Sequence, residues 1–298
     1  MSFVHKIRDY ADIASKGFKV PPIYLFFDYI IPGFIYDYLE FHKFNFLYFL
    51  ILTVSIMFLM GSTNLFDDYF DYQKNIDVEG SPTTLYRRHP FHYYRKDKQE
   101  LLLFAIITIL IYFSFFIFLA IEFGIIMIIF AFGGALLGYG YTGIPIGYKY
   151  RGLGLIGAFV STISIPLIVN YFYLNSISIK PLIFAIPYGI LISATLYISD
   201  FRDRDFDSKI NMKTLPVLLG KYSRAFFHVL FATFYASIAI FVIFRIYPEY
   251  SMILFLTLPL NHIMVKNLKN FSIKNMEFIF GNFIFLTLTL LSSLLILS

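Results

Sequence analysis

Hydrophobic residues in this chain do not alternate with polar ones. They run in long unbroken stretches, separated by short polar segments. Stretches long enough for a bilayer need about 17–25 residues as a helix. Nine are read here, at roughly 22–39, 44–66, 100–121, 124–143, 153–173, 180–199, 224–244, 249–266 and 276–297. The first carries Asp28 and Pro32 inside it. Continuous runs predict helices, because barrel strands would show a two-residue period. The fold class expected is therefore all-α. It is a polytopic membrane protein of about nine transmembrane helices around a central cavity open to lipid, organised as one domain over residues 1–298. Segment 1–21 is mixed polar without an apolar core and is expected on the membrane surface, with no cleaved leader.

Composition strengthens this picture. Of 298 residues, 58% are hydrophobic and 14% charged, with a mean hydropathy of +0.71, far too apolar for a soluble domain of this length. There is no Cys, which excludes disulfides, thiolate metal sites and a thiol nucleophile. Of the 24 Lys and Arg, only Lys43, Lys180 and Arg245 fall on one side of the predicted membrane. The rest collect in the N-terminal tail and the even-numbered loops. By the positive-inside rule that side is the cytoplasm, so the protein is expected in the cell membrane with its N-terminus inside. The basic girdle suits anionic lipid heads and anionic substrates, and no nucleic-acid partner is expected.

The same inner loops hold the carboxylates. In NLFDDYFDYQKNID, residues 64–77, Asn64, Asp68 and Asp71 are spaced i, i+4, i+7 and share one helix face. Asp67 stands beside them and Asp77 follows. In YISDFRDRDFDSKINMKTLPVLLG, residues 197–220, Asp200, Asp203 and Asp207 again share a face, and Asp205 points elsewhere. Two Asp-rich helix ends are thus expected to face each other at the cytoplasmic side. Like charges at such a depth repel unless a cation joins them. An all-oxygen set of Asn and Asp suits Mg²⁺, which is commonly shared with substrate phosphates. Two facing stripes would make a diphosphate clamp, with 72–99 and 200–223 as cytoplasmic cap loops.

These motifs carry a resemblance. The chain resembles the UbiA superfamily of intramembrane prenyltransferases, most closely the branch of 1,4-dihydroxy-2-naphthoate prenyltransferases. The first element is Asn64, Asp68, Asp71 and Asp77. The second is Arg202, Asp203, Asp207, Lys213, Thr214, Leu215, Pro216, Val217 and Gly220. The third, YTGIPIGYKYRGLG at 141–154, is Tyr141, Thr142, Gly143, Pro145, Tyr148, Tyr150, Arg151, Gly152, Leu153 and Gly154. Asp67 and Asp200 stand where the branch often has Asn, Asn211 takes a usual Gly position, and Leu155 replaces a common Glu.

The resemblance implies Mg²⁺-dependent transfer of a prenyl chain from a polyprenyl diphosphate, with diphosphate released. Two Mg²⁺, or Mn²⁺ in substitution, would be held by Asn64, Asp68, Asp71, Asp203 and Asp207, the four aspartates being the catalytic set. Asp67, Asp77 and Asp200 are secondary acidic residues. Lys213, Arg151, Lys149, Arg87, Arg88 and Arg202 are the diphosphate candidates, Arg87 and Arg88 reading equally as topological anchors. Tyr139, Tyr141 and Tyr197 are candidates for stabilising the allylic cation. The acceptor is expected to be an aromatic quinone precursor. The alternative is a glycerol-phosphate lipid, as in archaeal ether-lipid synthesis. His89 and His92 are read as loop polarity, and the glycines of GGALLGYG, 133–140, as close helix packing.

Two other classes fit the pattern less well. A cation transporter would place its carboxylates near the bilayer midplane, not at the surface beside Lys and Arg. A CDP-alcohol phosphotransferase would carry one continuous DGxxAR signature, which is missing.

Overall fold

The computed structural model describes residues 22–86, 89–93, 97–268 and 286–290, with Asp9 and Leu294. The surface segment expected at 1–21, Arg87 and Arg88 lie outside them, Asp9 apart. Among the described residues the chain is helical and contains no strand. The helices are α1 (Pro22–Phe41), α2 (Phe46–Gln73), α3 (Pro82–Tyr86), α4 (Lys98–Phe123), α5 (Ile126–Gly140), α6 (Gly154–Leu174), α7 (Lys180–Phe184), α8 (Ile186–Lys209), α9 (Leu215–Leu219), α10 (Phe226–Ile243) and α11 (Leu258–Asn267).

Helix covers each of the first eight apolar runs, but not always as one span. Among the described residues, α2, α4, α6 and α10 are long and apolar enough to cross a membrane, and α5 is a shorter apolar helix. The sixth run is divided at Ala185 into α7 and α8. The eighth begins as a 3₁₀ helix, Glu249–Thr257, before α11. Most of the ninth lies outside the described residues, where 286–290 and Leu294 are helical. Segment 200–223 is less of a loop than expected, since α8 continues to Lys209.

Two compact units divide the chain. In the first, 45–154 with 203–214, helices α2, α4 and α5 pack on one another. Its buried cluster is Leu65, Phe66, Phe70, Phe91, Leu101 and Ala105, with Tyr139 against it. Gly134 and Gly138 allow the close approach: a Cβ at Gly134 would lie 2.6 Å from Tyr112 Oη, and one at Gly138 would collide with Thr63 Oγ1. The glycine-packing reading of 133–140 therefore holds for these two residues. Polar groups point inward, with Ser62 Oγ donating to the Ala105 carbonyl at 2.9 Å. Leu103, Leu110, Ile117, Phe118 and Ile121 of α4 lie exposed. Apolar residues outside and hydrogen-bonded polar residues inside are what a hydrocarbon solvent requires.

The second unit holds 27–44, 155–202 and the chain from 215. Tyr247 Oη donates to the Phe184 carbonyl at 2.6 Å and Tyr197 Oη to that of Ser223 at 2.7 Å. In its interior Asn170 Nδ2 donates to Asp37 Oδ1 at 2.6 Å. Asp37 Oδ2 and Asn170 Oδ1 are both buried without a partner.

Candidate active site

The two acidic helices end alike. After α2, Asn75 adopts φ +55°, the Ile76 amide reaches back to the Asp71 carbonyl at 2.9 Å, and the Asn75 amide to Tyr72 at 3.2 Å. After α8, Asn211 adopts φ +57°, with Met212 to Asp207 at 2.9 Å and Asn211 to Ser208 at 3.3 Å. Each is a Schellman motif, with Asn in the left-handed position that Gly usually takes. The departure at Asn211 is thus structurally silent, because Asn tolerates this conformation. In both motifs the last aspartate of the stripe sits two residues before the last helical residue.

Helix α2 extends past the apolar run to Gln73, so Asn64, Asp67, Asp68 and Asp71 lie on regular helix. Asp67, Asp68 and Asp71 are each at most 2% exposed, and Asn64 is half-buried. Their partners come from far along the chain. The third motif folds into a 3₁₀ helix, Tyr148–Arg151, bracketed by Gly147 (φ +47°) and Gly152 (φ +76°). These left-handed turns point Lys149 inward. Its Nζ donates to Asp67 Oδ1 and to Asp71 Oδ2, both at 2.6 Å. Tyr150 Oη donates to the other oxygen of Asp71 at 2.6 Å.

Burial alone would push the Lys149 ammonium toward neutrality, but Asp67 and Asp71 outweigh it and hold its pKa well above the ordinary lysine value. The Tyr150 phenol is pushed up, first by burial and then by the charge of Asp71. Lys74 Nζ lies 3.2 Å from the Tyr150 ring centroid, a cation–π contact. Burial holds Lys74 below its ordinary pKa.

A second cluster adjoins this one along α2. Asp68, Asp77 and His89 are all buried and present ligand-type atoms within 4.8 Å of one another. His89 Nε2 lies 3.0 Å from Asp77 Oδ2 and 3.9 Å from Asp68 Oδ1. His92 Nε2 donates to the Asp77 carbonyl at 2.6 Å. Both histidines, expected only as loop polarity, hold Asp77 instead. The signal that could have found His89 is its setting in a short loop that returns to an acidic helix end.

Of the second motif, Asp207 is buried with its Oδ2 accepting from Thr214 Oγ1 at 3.1 Å, and Asp203 is half-buried. Both belong to the compact unit that contains α2. Asp205 is exposed and pairs with Arg204 at 2.8 Å. Asp200 and Arg202 fall in the other unit, half-buried. Arg151 is exposed and donates to the Pro145 carbonyl at 3.1 Å, and Lys213 is exposed. Tyr139 packs edge-on against Phe66 and Phe70, its hydroxyl on the Ile144 carbonyl. The Tyr141 ring lies 5.4 Å from Lys149 Nζ. Tyr197, in the second unit, is buried against Phe226 and Phe227.

The donor set fits a hard divalent cation. Asp68 and Asp77 bring carboxylates to one buried point, where a shared cation would offset their mutual repulsion. Asp71 fits less well than the stripe suggested, because both its oxygens already accept from Lys149 and Tyr150.

A family model described as the UbiA prenyltransferase family matches residues 31–289. No curated protein matches the chain. Among solved structures it is similar to one described as "Structural and mechanistic insights into the biosynthesis of Digeranylgeranylglyceryl phosphate synthase in membranes". The identity is 19%, the TM-score 0.56, and the match covers 91% of this chain and 96% of that one. At this identity the likeness is one of fold.

Proposed function

We propose that this chain, which belongs to the UbiA prenyltransferase family and is a multi-pass membrane prenyltransferase, uses the α2 cluster to release diphosphate from a polyprenyl diphosphate. The observation that carries the reading is the burial, beside the lysine-neutralised pair Asp67 and Asp71 on α2, of Asp68 together with Asp77 from the segment that follows the helix, with ligand-type oxygens of both within 4.8 Å of each other. Asp68 and Asp77, with Asp203 and Asp207 of the second motif, would hold Mg²⁺ or Mn²⁺. When bound, the ion supplies positive charge against the leaving diphosphate. Asp71 acts differently from the sequence expectation: it fixes Lys149 and Tyr150. Arg151 of the third motif and Lys213 of the second, both exposed, bind diphosphate oxygens.

In the transfer, the allylic C–O bond to diphosphate breaks and the acceptor bonds to that carbon. The acceptor proton passes to the departing diphosphate. The faces of Tyr139 and Tyr141 stabilise the allylic cation and keep water from it. The prenyl tail lies among apolar side chains and enters from lipid.

Of the two acceptor classes, the solved relative supports the alternative. That protein is a digeranylgeranylglyceryl phosphate synthase, so a glycerol-phosphate lipid is the first acceptor to test. The third motif supports the aromatic precursor as the second reading. A donor-by-acceptor matrix in detergent, read by mass spectrometry, separates them. A prenylated glycerol phosphate supports the first and a prenylated dihydroxynaphthoate the second. Full turnover in excess EDTA would refute the metal assignment, and no prenylated product with any pair would refute the transfer reading.

A further inference from the structure

His89 offers two chemistries at the α2 cluster, a metal ligand or a hydrogen-bond donor, and the loop around it chooses between them. The Phe91 amide points at His89 Nδ1, donating at 3.3 Å. A nitrogen that accepts an N–H carries no proton, so in the neutral ring the proton sits on Nε2. Nε2 is the atom that faces Asp77 Oδ2 at 3.0 Å. A protonated Nε2 has no lone pair for a metal and donates to the carboxylate.

The arrangement is anchored back onto α2. Phe91 belongs to the same buried cluster as Phe66 and Phe70, and its ring stacks on Tyr72 with centroids 4.0 Å apart. His92 pins the backbone of the same residue, donating to the Asp77 carbonyl. Asp77 needs such help because it lies six residues beyond Asp71, past the end of α2, where no helix fixes its side chain.

Resting on the metal reading above, we infer that His89 is a positioning residue, donating from Nε2 to orient the Asp77 carboxylate beside Asp68 so that the cation meets oxygen donors alone. The consequence is metal choice. An all-oxygen set favours Mg²⁺ and Mn²⁺, whereas a direct imidazole nitrogen would shift preference toward Zn²⁺ and later transition metals. Outer partners of this kind are worth about 10–100-fold in metal affinity.

Mn²⁺ is the probe, titrated into the full-length protein in detergent by electron paramagnetic resonance, with helical circular dichroism checking the fold. The native protein should bind Mn²⁺, and pulsed spectra should show no directly bound ¹⁴N. His89→Ala should weaken binding at least about 10-fold. His89→Gln, whose amide N–H can stand where Nε2–H stood, should return affinity to within about threefold of native. A bound-nitrogen coupling in the native protein that disappears in His89→Gln would overturn the inference by making His89 a ligand. Native affinity in a folded His89→Ala would overturn it by removing the role. If the native protein binds no Mn²⁺, the metal reading itself fails, a result distinct from both.

Discussion

Lys149→Met should destabilise the protein far more than a lysine substitution ordinarily does. The Lys149 side chain is 8% exposed, and those of Asp67 and Asp71 are 2% and 3% exposed. Methionine keeps the length and fills the space, so the change removes charge with little loss of packing. It leaves two carboxylates one helical turn apart with their shared lysine gone. Losing one partner of a buried ion pair costs about 3–5 kcal/mol, against less than about 1 kcal/mol for an exposed pair. At roughly 2 cal/mol/K of unfolding entropy per residue, 298 residues convert this to a fall in Tm of about 5–8 °C. The assay is thermal unfolding of the purified protein in one detergent, followed by helical circular dichroism. Lys149→Met combined with Asp67→Asn should recover part of the loss, because one of the two neighbouring buried carboxylate charges goes with it. The sign of the pH dependence follows from the raised Lys149 pKa. Its contribution is fully present below the ordinary lysine value near 10.5 and is lost as pH rises through the higher folded value. The gap between native and variant should therefore stay flat from about pH 6 to 9. A fall in Tm below about 1.5 °C, the size expected of an exposed pair, would refute the buried-pair account.

Asp203→Asn should lower kcat by about 10² or more, as loss of a group acting on transition-state charge does. Asp205→Asn, on a side chain 82% exposed, should stay within about twofold of native, and equal losses would undo the assignment of faces on α8. Asp37→Asn should raise Tm, because the new amide can donate to Asn170 Oδ1, which together with Asp37 Oδ2 is buried without a partner. A lower Tm would show that the carboxylate is needed there. Topology is open to thiol labelling, since the chain has no Cys. Exposed Glu79 is the inner site and exposed Ser176 the outer one. An impermeant reagent should label Ser176→Cys in intact cells and Glu79→Cys in inverted vesicles, and the reverse pattern would invert the orientation.

What the sequence by itself determined is local. Long apolar runs specify helices because each backbone group must be satisfied within its own segment in lipid. The i, i+4, i+7 spacing of Asn64, Asp68 and Asp71 places them on one face because helical geometry is set by the residues themselves. Whether each run forms one unbroken span was not legible, since Ala185 divides the sixth run and a 3₁₀ turn opens the eighth. The partner of each carboxylate was not legible either. Asp71 carries the same spacing signal as Asp68, yet it accepts from Lys149 and Tyr150, 78 and 79 residues away, while Asp68 neighbours Asp77 and His89. Periodicity reports which face a side chain occupies. Which groups meet it there is decided by the packing of α2 against a distant 3₁₀ turn and by the return of the 77–92 loop, and burial then makes those choices energetically binding.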